Sequence, residues 1–366
     1  MTAYQCVKDR SGMQKFTTIE LFAGAGGLAL GVEKAGFDTI GAVEVDHDAC
    51  DTLRENRKEW NVFEGDIADL TCQDLTEVYG IEPGELDLLS GGAPCQAFSY
   101  AGKRLGFEDT RGTLFHHYAL FLKQLQPKMF LFENVRGLLT HDKGRTYKTM
   151  CNVFTTAGYK IQKAVLNAWD YDTAQKRERL ITIGIRNDLA GDAGFVFPKK
   201  CAYKPVLRDV LKNVPESPYT PYGEKKRKLF ELVPPGGYWR DIDPKLAKEY
   251  MKSCWDMGGG RTGILRRLSM DEPSLTVLTS PAQKQTERCH PLEARPFTIR
   301  ENARIQGFPD IWEFKGSVSS QYRQVGNAVP VNLAYHVARE IHKTLEAIYE
   351  LEHKFYQGSG VKASCG

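Results

Sequence analysis

Short apolar runs and amphipathic stretches alternate along the first half of the chain. "FTTIELF" (16–22), "TIGAVEV" (39–45), "LDLLSG" (86–91), "KMFLFENV" (128–135) and "LITIGI" (180–185) read as strands. Between them, "GLALGVEKAG", "DACDTLRENRK", "GTLFHHYALFLKQL" and "TYKTMCNVFTTAG" carry apolar residues at helical spacing. Such alternation predicts an α/β fold, a doubly wound and mostly parallel sheet with helices on both faces. The pattern fails near residue 190. From there to about residue 295 the periodicity is poor and Pro, Gly, Lys and Arg are frequent, which predicts a second, smaller and irregular domain. After residue 331, "NLAYHVAREIHKTLEAIYELEHKFY" reads as one long amphipathic helix that packs back on the first domain, and "GSGVKASCG" as a frayed tail. The expected division is 1–190 plus 322–366 for the first domain and 191–321 for the second.

With 366 residues, 42% of them apolar, the chain can bury a sizeable core and wholesale disorder is excluded. No apolar run approaches the roughly 20 residues that span a bilayer, and "MTAYQCVKDRSGMQ" lacks the apolar centre of a signal peptide. No membrane partner and an intracellular location are expected. The net charge of +3 is unevenly spread: residues 199–295 hold 19 Lys and Arg against 12 Asp and Glu. That basic segment suits a polyanionic partner, although a solvated surface accounts equally for runs such as "EKKRK".

Glycines between the first strand and the first helix, in "IELFAGAGGLALG", allow a sharp turn and close approach of a ligand to the helix amino terminus. Glu44 lies about 20 residues on, at the end of the second strand, where a carboxylate can hold ribose hydroxyls. Asp66 in "GDI" sits near the end of a third strand and suits an adenine amino group. The candidate cofactor residues here are Phe22, Gly24, Ala25, Gly26, Gly27, Glu44, Val45, Asp66 and Ile67. They indicate an adenosine-containing cofactor, and by themselves leave a nicotinamide dinucleotide and S-adenosylmethionine both open.

Nine cysteines are scattered without a CxxC pair or metal-like spacing, so no metal is expected. Most read as buried fillers. Cys95 differs, because "LDLLSGGAPCQAFSYAG" puts it in an exposed turn just past the carboxyl end of a strand. Further motifs follow in order: "GGAPCQAFS", "FLFENVRG", "AQKRERL", "ENARIQGFPD" and "QVGNAVPVNLA". With these in view the chain resembles the DNA (cytosine-5)-methyltransferases, particularly the bacterial modification enzymes, from residue 18 to about 335 outside the basic segment.

The resemblance implies S-adenosylmethionine as cofactor, S-adenosylhomocysteine as product, and a Rossmann-like catalytic domain. It places Cys95 as the nucleophile that adds to cytosine C6, so that electron density reaches C5 for methyl transfer. Thiolate serves because sulfur is both a strong nucleophile and a good leaving group. Glu133 matches the carboxyl group that contacts N3 and the exocyclic amine, and must hold a proton at least transiently. Arg179 would hold the cytosine O2 and Arg177 support the site, both pointing the same way by strand alternation. Pro94, Leu114, Asn327 and Ala328 would complete the cofactor site.

A cytosine inside a duplex cannot offer C6 to a thiol, so the base must be flipped out. The loop 96–112 would cover it, with Ser99 facing the nucleotide and Arg111 touching phosphate. The basic segment corresponds to the family's target-recognition region, where Thr276 in "PSLTVLTS" matches a short Thr-containing signature. The implied partner is double-stranded DNA, with a monomer acting in the bacterial cytoplasm beside a cognate restriction endonuclease without a stable complex. Ala93 stands where many relatives have a first proline before the cysteine, and Val45 where some have an aromatic. A tRNA cytosine methyltransferase shares the catalytic motifs, but its usual Cys-Phe-Thr signature is missing from the recognition region. A nicotinamide oxidoreductase leaves Cys95, Glu133 and the arginines unexplained, and a DNA binder that has lost catalysis is disfavoured by the complete set.

Overall fold

The computed structural model describes residues 15–93, 114–190, 194–256, 261–281 and 283–358. They form two units. The first holds the chain up to Leu166, Glu178–Lys199 and the chain from Leu333 onward; the second holds Asn167–Arg177 and Lys200–Asn332. Asn167–Arg177 and residues 322–332, which the sequence pattern groups with the first domain, thus belong to the second unit. Backbone pairing explains the first of these: Ser274 N donates to Ala174 O at 2.8 Å and Lys176 N to Ser274 O at 2.8 Å.

In the first unit the strands are β1 (Phe16–Leu21), β2 (Phe37–Glu44), β3 (Val62–Glu64), β4 (Leu88–Gly91), β5 (Met129–Val135), β6 (Tyr159–Asn167) and β7 (Glu178–Arg186). Their order across the sheet is β3-β2-β1-β4-β5-β7-β6. β1 runs parallel to β2 and β4, β2 to β3, and β4 to β5, whereas β7 is antiparallel to β5. This is the predicted doubly wound, mostly parallel sheet. β3 and β6 escape the hydrophobic pattern because β3 has no buried residue, Val62 and Phe63 being half-buried and Glu64 exposed, and β6 buries only its Tyr159 and Leu166. β4 is buried at every residue and β1 at all but one, as central strands covered on both faces must be.

Helices α1 (Gly27–Lys34), α2 (His47–Asn56), α3 (Ile67–Thr71), α4 (Leu75–Tyr79), α5 (Leu114–Leu125) and α6 (Arg145–Thr156) connect these strands. Aspartates cap α2, α3 and α4: Asp46, Asp66 and Asp74 each accept a first-turn backbone N–H. The core under α5 and α6 is aromatic, with Phe132 edge-on to Phe115 and Tyr118, and Phe130 beside Phe154. The buried Tyr118 hydroxyl lies within hydrogen-bond range of Leu89 O and Leu131 O, at 3.2 and 3.1 Å.

The second unit contains α7 (Leu207–Val210), α8 (Glu224–Leu232), α9 (Pro244–Met251), α10 (Ile299–Ile305) and α11 (Val318–Asn327). It has its own core, built on Phe230, Val233, Trp239, Met251, Leu265 and Cys289. The last helix, α12 (Val331–Gly358), returns to the first unit. There His342 meets Phe16 and Phe37, and Tyr349 stacks on Phe16. Among the described residues no helix is long and apolar enough to cross a membrane.

At the amino-terminal ends of the parallel strands one carboxylate gathers four donors. Asp87, 3% exposed, accepts from Thr17 N (2.8 Å), Thr17 Oγ1 (3.2 Å), Lys128 Nζ (3.0 Å) and Tyr349 Oη (2.7 Å). Removing it leaves a buried ammonium without its counterion. Asp87→Ala is expected to lower stability by about 3–5 kcal/mol in urea unfolding, with activity per folded molecule retained. A loss under about 1 kcal/mol, the range of a surface pair, would contradict this account of the network.

Candidate active site

Strand order reverses between β1 and β4, and in open α/β sheets the crevice at such a switch point is where ligands bind. The carboxyl end of β1 leads into a loop whose backbone is left-handed at Phe22 (φ 57°), Gly24 (φ 53°) and Gly26 (φ 82°). Gly26 caps α1 without a side chain. A Cβ on Gly24 would have nothing within 4 Å, so glycine serves the backbone angle there and leaves the space above it open.

Glu44, ending β2, holds this loop. Its Oε2 accepts Gly24 N at 2.7 Å, and its Oε1 accepts Val45 N and Asp46 N, each at 2.9 Å. A carboxylate has about four acceptor positions, so one on Oε2 is left for a ligand hydroxyl. Val45 beside it is 69% exposed, the most an apolar side chain shows along this edge. Asp66 is exposed and caps α3 through Ala68 N at 2.9 Å, while Ile67 is buried in the core. Ala25 and Gly27 are buried, and Phe22 and Leu114 are half-buried against the core.

Beneath the loop lies a residue that the sequence reading treats only as part of a strand. Glu20 is completely enclosed; Ala29 N–H donates to its carboxyl group and Ser90 Oγ approaches it at 3.4 Å. Burial, with the charges of Glu44 and Glu133 adding to it, pushes its pKa up to about 8. A lone Glu inside the apolar run "TIELF" was the available signal.

The ends of β4 and β5 form the other half of the crevice. A Cβ on Gly92 would meet Glu133 Oε2 at 2.7 Å and Glu133 O at 2.8 Å, so the chain leaving β4 presses directly on that carboxylate. One residue on, Ala93 O accepts Asn134 Nδ2 at 2.8 Å, and Asn134 is buried. Adjacent residues of β5 thus grip the stem from which Pro94 and Cys95 continue. Asn134 was missed because only its neighbour Glu133 carries an ionisable group. Pro94, Cys95, Ser99 and Arg111 lie outside the described residues.

Arg179 reaches Glu133 from β7. In the antiparallel register Val135 faces Arg179 and Glu133 faces Ile181, so the two side chains are diagonal neighbours on one face. Arg179 Nε stands 2.7 Å from Glu133 Oε1, each side chain being 12% exposed. Arg177 behaves differently. β7 starts at Glu178, and Arg177 is buried within the second unit. Its guanidinium donates to Gly326 O at 2.9 Å and to Val277 O and Asn327 O at 3.4 Å.

Around Arg177 two motif glutamines that sequence reasoning passed over form a buried chain. Val277 N donates to Gln175 Oε1 (2.9 Å), Gln175 Nε2 to Gln306 Oε1 (2.8 Å), and Gln306 Nε2 to Val325 O (2.7 Å) and Ala328 O (3.2 Å). Thr276 Oγ1 donates to Lys176 O at 3.0 Å. Asn327, exposed, ends α11, and Ala328 caps it.

One group among the described residues, His47, Asp51 and Glu64, is compact enough to hold a cation. Its Glu64 is already engaged by His47 Nδ1 at 2.7 Å and Arg54 Nη1 at 2.5 Å, an arrangement suited to an exposed ion-pair cluster.

The chain as a whole has relatives. The model of the C-5 cytosine-specific DNA methylase family matches residues 16–343. The chain belongs to that family. It is 56% identical over 328 residues to the type II methyltransferase M.Sau96I of Staphylococcus aureus, covering 89% of this chain and 75% of that one. It is 52% identical over 341 residues to the type II methyltransferase M.Eco47II of Escherichia coli, covering 91% and 80%. Among solved structures, an Escherichia coli prophage protein described as a DNA modification methyltransferase aligns with TM-score 0.66 and 25% identity, over 90% of this chain and 99% of that one. The S. pombe Dnmt2 methyltransferase shares the fold, with TM-score 0.60 and 18% identity over 92% and 99%. The enzyme is a DNA cytosine-C5 methyltransferase.

Glu20 makes stability depend on pH in a defined direction. Between the ordinary carboxyl range and about pH 8 the unfolded chain is ionised there while the folded protein keeps the proton. Its contribution is full at low pH, falls as pH rises through that window, and levels off above about 8. In Glu20→Gln this dependence disappears, so the melting temperature of the variant relative to wild type should climb from about pH 5 to about pH 8. A difference that stays flat across that range would show that Glu20 is ionised in the folded enzyme.

Proposed function

We infer that the enzyme transfers a methyl group from S-adenosylmethionine to C5 of a cytosine flipped out of a specific short DNA sequence, through a covalent bond from Cys95 to C6. The observation that carries this reading is the convergence on Glu133. Arg179 is bonded to it, Gly92 is pressed against it, and Ala93, the residue just before Pro94–Cys95, is tied to its neighbour Asn134.

The residues at the β1 and β2 ends fit the cofactor. The open space over Gly24 accommodates an amino-acid tail near the α1 amino terminus, the remaining acceptor of Glu44 takes a ribose hydroxyl, and exposed Val45 offers an apolar face to adenine. Asp66 with Ile67, and Phe22, Pro94, Leu114, Asn327 and Ala328, complete the proposed set. S-adenosylmethionine, when bound, supplies an electrophilic methyl group and leaves as S-adenosylhomocysteine.

The chemistry asked of the chain follows from the base. Cys95 Sγ, as thiolate, forms a bond to C6, and the C5–C6 π electrons move toward the N3–O2 side of the ring. Glu133 meets that charge by placing a proton at N3 and accepting the exocyclic amine, while Arg179 holds O2. The Glu133–Arg179 bond keeps both groups oriented for adjacent positions of one planar ring. Once C5 bears the methyl group, water takes the C5 proton, that electron pair re-forms the C5–C6 double bond and expels the thiolate, and N3 returns its proton to Glu133. Arg177 acts as a positioning residue through the carbonyls of Val277 and Gly326.

The second unit is the proposed target-recognition part, with Thr276 within it and Ser99 and Arg111 on the proposed cover of the flipped nucleotide. The relatives' designation as type II methyltransferases supports a role in protecting host DNA from a cognate endonuclease; on this reading the enzyme acts as a monomer in a bacterial cytoplasm and forms no stable complex with that nuclease.

Unmethylated plasmid DNA and tRNA, incubated separately with enzyme and cofactor and digested to nucleosides for mass spectrometry, provide the test. 5-Methyl-2′-deoxycytidine should appear from DNA alone. Glu133→Gln should lower kcat/KM by about 10²- to 10⁴-fold with cofactor affinity kept. Modified cytidine from tRNA alone would move the enzyme to the RNA-directed reading.

A further inference from the structure

The second unit keeps two neighbouring guanidinium groups half-buried without a carboxylate seated on either. Arg267 and Cys289 form a parallel bridge, which sets residues 266 and 288 side by side on the face opposite to 267 and 289. The inward face is closed. Cys289 is fully buried, and Arg267 donates to Phe230 O, Val233 O and Pro291 O at 3.0–3.2 Å. The buried Glu287 is also consumed inward, by Lys226 Nζ (2.7 Å), Tyr250 Oη (2.5 Å) and Leu265 N (2.5 Å).

The other face is left with unmatched positive charge. Arg288 Nη1 donates to Glu287 O at 2.8 Å. Among the described residues the one carboxylate paired with Arg266 is Glu272, at 3.9 Å on a side chain that is 60% exposed. The Nε of each arginine is buried without a hydrogen-bond partner among the described residues. Burial, together with the charge of Arg266, pulls the Arg288 pKa down to about 10. Behind the pair, the Tyr238 ring lies 5.8 Å from Arg266 and 6.0 Å from Arg240. Holding two like charges together against their repulsion, with donors unspent, suits a site completed by an acceptor-rich ligand.

We propose that Arg266 and Arg288 read a guanine of the target duplex, outside the pair that holds the methylated cytosine, through its O6 and N7. The proposal rests on the second unit being the target-recognition part. A partly buried arginine presents its planar fork in a fixed direction, and that fork matches the two acceptors of guanine in the major groove. Phosphate contacts need no such immobilisation and carry no sequence information.

The test uses the full chain. Cytosine-unmethylated DNA carrying a randomised segment is treated with enzyme and cofactor, and bisulfite sequencing yields the methylated consensus. Wild type, Arg266→Gln, Arg288→Gln and Arg288→Lys are compared, with thermal melting to verify folding. The consensus should contain a guanine outside the target pair. Both Gln variants should lose about 5- to 150-fold on consensus sites while sites altered at that guanine lose less, so that discrimination there narrows. Arg288→Lys, which keeps charge but loses the fork, should narrow it too.

An unchanged consensus, with a uniform loss over all sequences and a salt slope reduced by about one, would make the pair a phosphate contact and overturn the proposal. Variants that weaken cofactor binding and leave both consensus and DNA affinity unchanged would instead overturn the recognition role of the second unit.

Discussion

The ion pair between Glu133 and Arg179 is the constraint on which the rest of the site depends. Each side chain is mostly buried, and neither would be tolerated there alone. The pair needs β5 and β7 to be antiparallel neighbours in one register, since a slip of one residue would send the two groups to opposite faces. It also constrains the chain leaving β4. A Cβ at position 92 would come within 2.7 Å of the Glu133 carboxylate and 2.8 Å of its backbone oxygen, so any residue but glycine would push the strands apart, and the path toward Cys95 starts from contact with Glu133. The orientation of the proposed catalytic pair and the sheet register are therefore one requirement.

The proposed cofactor end is built differently, from a carboxylate used as backbone glue. Glu44 spends three of its acceptor positions on the N–H groups of Gly24, Val45 and Asp46, and the bond to Gly24 ties the left-handed loop to the end of β2. Beneath it, Glu20 occupies space that an ionised group would make costly, because Glu44 and Glu133 already carry charge toward it. A protonated carboxyl at this depth can span the two halves of the crevice as a hydrogen-bonding group without adding to their repulsion. The opposite edge of the sheet concentrates its polar network on Asp87, well away from the chemistry.

Much of this was legible in the sequence wherever hydrophobic periodicity carried the information. The strands β1, β2, β4, β5 and β7 and the long helices announce themselves by buried faces, whereas β3 showed only through the motif at its end and β6 buries just Tyr159 and Leu166, too far apart to set a period. Charged candidates such as Glu44 and Glu133 were visible from their places at strand ends. Asn134, Gln175 and Gln306 were not, since an amide that satisfies buried backbone groups leaves no period and no charge to notice. Strand alternation also suggested that Arg177 and Arg179 point alike, but β7 begins between them and each serves a different unit.

In the proposed mechanism Cys95 becomes covalently bonded to C6 of a flipped cytosine under the control of Glu133 and Arg179. DNA in which 5-fluorocytosine replaces cytosine tests it most directly, because fluorine at C5 cannot leave as a proton does. With enzyme and S-adenosylmethionine, this account predicts a denaturant-resistant protein–DNA adduct that peptide mapping places on Cys95 and that is lost in Cys95→Ser. An adduct mapped to another residue, or 5-methylcytosine formed on ordinary DNA by an enzyme that yields no adduct, would contradict it.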